Sequence, residues 1–157
     1  MKFSTKEDIE IGIDDVFTML SDFDGYERAM MRQGIDIART DTLSEKRVGA
    51  SWRAAGVLRG KRRVFDIEMF EYDRPSTMKF RAISTGIETK LSVELVELSR
   101  NRTRMRVQLD IKPKTLPARL LIQSARLTRN TLNRRFNKRI ANFAEDMEDR
   151  HARELRA

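Results

Sequence analysis

The sequence predicts an α+β domain in which one curved antiparallel sheet grips one long helix. Two observations carry this. From Pro117 to about Arg153 no further Pro or Gly interrupts a helical pattern. Stepping 100° per residue from Phe136 brings Ala118, Ile122, Ala125, Leu132, Ile140, Phe143 and Met147 within roughly 40° of it, one apolar stripe. Upstream, from Ile35 to Ile111, the apolar period is two, and Gly, Pro, Asn and Asp punctuate it at turn spacing. Separately, Ile111 to Ala144 holds no acidic residue but nine cations: Lys112, Lys114, Arg119, Arg126, Arg129, Arg134, Arg135, Lys138 and Arg139.

The elements follow in order. Lys2 to Ile11 alternates weakly and ends in Ile9 and Ile11, a first strand. Gly12-Ile13-Asp14 turns into a short helix with Asp14 as its expected N-cap and Val16, Phe17 and Leu20 as its apolar face. Ser21-Asp22 caps a second short helix, expected to break near Asp24-Gly25; it carries Tyr26, Met30 and Met31, and Gly34 closes it. Ile35 and Ile37 begin a second strand, and Thr40 to Val48 is a polar connection. Ser51 to Leu58 is the third strand. Gly60-Lys61 signals a hairpin, and Phe65, Ile67 and Met69 mark the fourth strand, with Asp66 and Glu68 on its other face. Asp73-Arg74-Pro75-Ser76 is a turn. Met78, Phe80 and Ala82 mark the fifth strand, Thr85-Gly86 a turn, Leu91, Val93 and Leu95 the sixth strand, Arg100-Asn101 a turn, and Met105, Val107, Leu109 and Ile111 the seventh. Pro113 and Pro117 end the sheet and start the long helix. The result is seven strands, with two short helices between strands 1 and 2, and one polar and one apolar sheet face.

At 157 residues this is a single domain, 1–157, large enough for a real core. There is no cysteine, so disulfides, thiolate metal sites and thiol catalysis are excluded. The opening residues lack the apolar core of a signal peptide, and no apolar run reaches membrane-spanning length. The expectation is a soluble, cytoplasmic protein. The net charge is +8, from 32 basic and 24 acidic residues, which permits contact with a polyanion.

Three segments resemble a known group. Ile13-Asp14-Asp15-Val16-Phe17, followed by Leu20-Ser21-Asp22-Phe23 and Tyr26-Glu27, is similar to the helical opening of the START/Bet v1-like superfamily, in particular its polyketide cyclase/dehydrase and lipid transport (SRPBCC) branch. Gly49-Ala50-Ser51-Trp52-Arg53 resembles that group's first long hairpin strand. Phe70-Glu71-Tyr72-Asp73-Arg74-Pro75 with Met78-Lys79-Phe80-Arg81 resembles a hairpin turn and the strand after it. The resemblance spans the chain and implies a helix-grip fold with a cavity between sheet and long helix for an apolar or amphipathic ligand. It specifies fold better than function.

Candidate site residues come from strand parity. Trp52, Ala54, Gly56, Phe65, Ile67, Met69, Met78, Phe80, Ala82, Leu91, Val93, Leu95, Met105, Val107 and Leu109 should point toward the helix. They either fill a dry core or line a cavity. Small Ala54 and Gly56, and eight methionines, favour free volume. From the helix, Ala125, Arg129, Leu132 and Phe136 complete the expected ligand-binding set. Arg129 lies about 20° from the stripe's centre, so it needs an internal partner, the cavity mouth, or an anionic ligand group. No catalytic constellation is visible. The single histidine, His151, falls near the helix end, and there is no phosphate loop, nucleophile elbow or metal-ligand spacing. No cofactor or metal is expected.

The expected function is binding of a hydrophobic or amphipathic, lipid- or polyketide-like molecule. A cyclase/dehydratase-type enzyme in the same cavity is the alternative, as is a ribosome- or membrane-associated protein. For the last, Leu120 and Leu127 lie opposite the stripe among Arg134 and Lys138, a face that is either simply solvated or a surface for RNA or an anionic membrane.

Overall fold

The computed structural model describes every residue except Arg47 and Arg59. Arg47, in the predicted Thr40 to Val48 connection, and Arg59, beside the predicted Gly60-Lys61 turn, therefore lie outside the described residues. The elements run β1 (Lys2–Ile9), α1 (Ile13–Leu20), α2 (Phe23–Arg32), β2 (Asp36–Arg39), β3 (Ser51–Leu58), β4 (Lys61–Asp73), β5 (Thr77–Ser84), β6 (Ile87–Ser99), β7 (Arg102–Pro113), α3 (Leu116–Arg126) and α4 (Arg129–Arg156). This is the helix-grip architecture, a curved seven-stranded antiparallel sheet with a long C-terminal helix.

Sheet order is β1-β7-β6-β5-β4-β3-β2. From β2 to β7 each strand pairs with its sequence neighbour. β1 instead closes the far edge, running antiparallel to β7 with Phe3 opposite Leu109 and Ile9 opposite Thr103. That edge is well tied. The Met1 ammonium donates to the Ile111 carbonyl at 2.8 Å, and the buried Thr103 hydroxyl donates to the Ile11 carbonyl at 2.7 Å. Outside, Arg104 forks onto the Asp8 carboxylate at 2.8 and 3.2 Å, which lowers the Asp8 pKa.

Local chemistry explains the joints. Asp22 caps α2 by accepting from the Gly25 N–H at 3.2 Å. Asp14, the expected cap of α1, instead sits in that helix's first turn, where a carboxylate favours the positive end of the helix dipole; Gly12 occupies the cap position. α2 runs unbroken through Asp24-Gly25. At the β5–β6 turn Gly86 has φ +74, and a Cβ there would collide with the Thr115 side chain. Thr115 in turn caps α3 through Ala118 N–H, with Pro117 in the first turn.

The predicted single helix from Pro117 to Arg153 is corrected to two. Leu127 and Thr128 interrupt it. There the backbone tightens to i→i−3 bonds, Leu127 N–H to Ser124 at 3.2 Å and Thr128 N–H to Ala125 at 3.1 Å, and the Thr128 hydroxyl donates to the same Ala125 carbonyl at 3.1 Å. A β-branched residue whose hydroxyl bonds back one turn competes with the regular helical ladder. α3 then packs on β7 and α4 on β1. No helix among the described residues is long and apolar enough to cross a membrane.

The dry core sits at one end of the sheet. Ile9, Ile11, Val16, Phe17, Met69, Met105 and Met147 are all at most 1% exposed there, and Leu95 and Ala144 join them.

Candidate functional site

Inward parity continues past that core along each strand. On β6 the inward row runs from Leu95 in the core through Val93 to Leu91 and Thr89. On β7 it runs from Met105 through Val107 to Leu109, and on β4 from Met69 to Ile67. The outer members of these rows lie on a cavity wall that α4 shares. They enclose a cavity of about 480 Å³, within the usual range for small-molecule sites.

The wall is assembled from the sheet and three helices. Ile37, Trp52, Ile67, Met78, Phe80, Ala82, Thr89, Leu91, Val93, Met105, Val107 and Leu109 come from the sheet. Leu20 comes from α1, and Phe23, Tyr26, Glu27 and Met30 from α2, spaced i, i+3, i+4, i+7 so that one helical face looks inward. Ile140 and Phe143 come from α4. At the α2 end the rings of Phe23, Trp52 and Phe80 meet edge-on or tilted, with centroids 5.3 to 6.4 Å apart. Met30 is the one liner that is exposed, which places an opening beside α2.

Polar groups on this wall are few. The Tyr26 hydroxyl donates to the Met19 carbonyl at 3.0 Å, and burial raises its pKa. Thr89 adds a hydroxyl. Glu27 is the only charged liner among the described residues, and its Oε1 accepts from Trp52 Nε1 at 2.6 Å. Over the Trp52 ring, 5.0 Å from its centroid, lies the Arg39 guanidinium. Arg39 is itself forked onto Asp41 at 2.8 and 2.7 Å. Asp41 also accepts from the backbone N–H groups of Ser51 and Leu43, at 2.7 and 2.8 Å. The Arg39 bonds first, and these N–H groups after them, hold the Asp41 carboxyl well below the usual carboxylate range.

Of the residues predicted to bind ligand, Trp52, Ile67, Met78, Phe80, Leu91, Val93, Met105 and Val107 are on the wall. The other eight are not, for three reasons. Ala54, Gly56 and Phe65 lie where β5 gives out: β4 pairs with β5 only from Asp66 onward, so Phe65, opposite Ala54, is level with the last residue of β5, and Arg63, opposite Gly56, is level with the β5–β6 turn. Free space at Gly56 belongs to that hairpin, where a Cβ would rest 3.6 Å from Ile35. Met69 has the right parity but is wholly buried in the dry core beside a β-bulge.

Ala125, Arg129, Leu132 and Phe136 stand off the wall because the break at Leu127–Thr128 separates the helix stripe into two, and the start of α4 lies along β1. Phe136 packs on Phe3 at 5.9 Å. Arg129 is exposed. Its guanidinium sits 5.3 Å over the same Phe3 ring and donates to the Lys2 carbonyl at 2.8 Å. It does not line the cavity.

Sequence reasoning missed the α1–α2 side of the wall, Leu20, Phe23, Tyr26, Glu27 and Met30, as well as Ile37 and Thr89; Glu27 is the charged one among them. The signal was present: Phe23, Tyr26 and Met30 fall on one face of α2, and Glu27 falls between them. Asp66 and Glu68 point outward as parity predicts, and Asp66 pairs with Arg53 at 2.9 Å. No group of three or more His, Cys, Asp or Glu side chains able to hold a metal is found among the described residues.

No protein-family model matches the chain, and no curated protein matches it in sequence. Solved structures do match. TTHA0849 from Thermus thermophilus superposes with a TM-score of 0.65 at 14% identity, over 96% of each chain. The Zhui aromatase/cyclase from Streptomyces sp. R1128 gives 0.63 at 13%, over 92% of this chain and 93% of that one. A START superfamily protein from Mycobacterium smegmatis gives 0.58 at 16%, over 88% and 95%. Likeness at such identities establishes the fold, and the chain has the START/Bet v1-like helix-grip fold.

Proposed function

We propose that the protein binds a small hydrophobic or amphipathic molecule in the cavity between the sheet, α2 and α4. The observation that carries this is the unfilled volume. Close-packed interiors leave few voids larger than a water molecule, whereas here about 480 Å³ opens directly beside a fully packed core. Apolar side chains supply nearly all of its wall, and Tyr26, Thr89 and Glu27 are the polar residues among the liners.

Filling the volume tests this. Ala82 faces the cavity between Ile67 and Thr89 on the neighbouring strands. Ala82→Phe, or Thr89→Phe one strand over, should keep the folded circular-dichroism signal and lower Nile red uptake at least about tenfold. Gly56→Phe, outside the cavity, should leave uptake unchanged. Undiminished uptake in both filled variants would remove the proposal.

A second reading concerns the outside of α3. Leu116, Leu120 and Leu127 are 69%, 60% and 88% exposed, and helical spacing puts them on one side with Arg119 and Arg126 flanking. Exposed leucines among cations, in a stretch without any acidic residue, fit an anionic lipid surface. The face has no aromatic residues for stacking bases, which disfavours single-stranded nucleic acid.

A further inference from the structure

We infer that Glu27 selects the ligand's polar end: the cavity takes amphiphiles that present a cationic amine or another hydrogen-bond donor, and turns away carboxylates. This rests on the cavity being the binding site.

The argument starts from what surrounds the carboxylate. Glu27 lies on α2 one turn before the exposed Met30 and is itself a half-buried liner of the cavity, among apolar residues of β6 and β7. The Trp52 indole fixes one oxygen from 2.6 Å. A neutral acceptor such as a Gln carbonyl would also accept that bond, though more weakly, and the bond engages only one of the two carboxylate oxygens. No Lys or Arg among the described residues lies within ion-pair distance of Glu27, and its Oε2 has no hydrogen-bond donor among them.

Arg39, whose charge acts on Glu27 through space, is committed to Asp41 by its hydrogen bonds. Both its Nε and its Nη2 are spent on Asp41, and its flat face rests over Trp52. The wall itself carries no Lys or Arg among the described residues, and one carboxylate oxygen is unused; Arg39 acts on Glu27 only through space, and Arg150 stands by the Tyr26 hydroxyl. An unused carboxylate oxygen beside an apolar wall gains most from a charged or strong donor brought to it. An ammonium or hydroxyl on the ligand supplies that donor, and a ligand carboxylate would face like charge across a low-dielectric gap.

The test uses the full chain at pH 7.5 and three probes sharing one apolar body: 2-(1-naphthyl)ethylamine, 2-(1-naphthyl)ethanol and 1-naphthaleneacetate. Each displaces Nile red, and the measured quantity is the ratio of their affinities. The amine should bind about tenfold more tightly than the alcohol, and the carboxylate about tenfold more weakly. Glu27→Gln retains an acceptor for Trp52 and should bring all three within about threefold of one another. A wild-type protein that prefers the carboxylate, or binds all three alike, overturns the inference without any variant. An order that persists in Glu27→Gln also overturns it. Failure of the neutral alcohol and of Nile red itself to bind would strike the cavity proposal instead, and this inference with it.

Discussion

The guanidinium of Arg129 rests 5.3 Å above the ring centroid of Phe3, where the first turn of α4 meets the edge strand β1. The same side chain donates to the Lys2 carbonyl at 2.8 Å. It is thus a clip between two elements far apart in sequence, on the outside of the molecule. Exposed cation–π contacts of this kind contribute about 0.5–1 kcal/mol. Arg129→Met should lower stability to urea by about that amount and leave the relative affinities of the naphthyl amine, alcohol and carboxylate unchanged. A selective change in carboxylate binding would return Arg129 to the site.

Asp41 should make stability fall in acid in a way one variant isolates. Its carboxylate is 9% exposed and held by Arg39 and two backbone N–H groups, so its folded pKa is depressed. A depressed pKa contributes stability above the unfolded-state value, about 3.9 for Asp, and that contribution is lost as pH falls through the folded value. Asp8 and Glu88 are also lowered by their cations, so the informative quantity is the difference between wild type and Asp41→Asn at each pH. The variant should be less stable by about 1.5–3 kcal/mol at pH 7, and the gap should narrow below about pH 4. A gap independent of pH would show that the charge of Asp41 contributes nothing.

The basic face of α3 is tested by co-sedimentation with vesicles. Binding should occur to phosphatidylglycerol-containing vesicles, not to pure phosphatidylcholine, and should weaken between low and physiological salt. Leu120→Glu and Leu127→Glu should each abolish it while leaving Nile red uptake intact. Equal binding to neutral vesicles, or none at low salt, would leave α3 a solvated helix.

Strand identity and parity were legible because they are local. Trp52, Ile67, Phe80, Leu91 and Val107 face inward as period-two alternation requires, and turn chemistry at Gly60, Asp73–Ser76 and Gly86 set the hairpin sequence. The order of elements, their antiparallel arrangement and the long C-terminal helix follow from the same short-range rules.

Tertiary structure alone decided the rest. Which edge β1 joins depends on a pairing across about a hundred residues, Phe3 with Leu109, that no local pattern encodes. Parity assigns a residue to a face but cannot say whether that face is covered: Met69 and Ile67 share one row, yet one is in the core and the other on the cavity wall. The point where β5 gives out beside β4, which leaves Ala54, Gly56 and Phe65 off the wall, is a matter of unequal strand lengths in the assembled sheet. The stripe through Arg129 assumed an unbroken helix, and one side-chain hydrogen bond from Thr128 to Ala125 accompanies the break that moves everything around it. Glu27 became a cavity group only when α2 was laid against Trp52, because burial and partner choice are properties of packing, which a residue's own sequence neighbours do not contain.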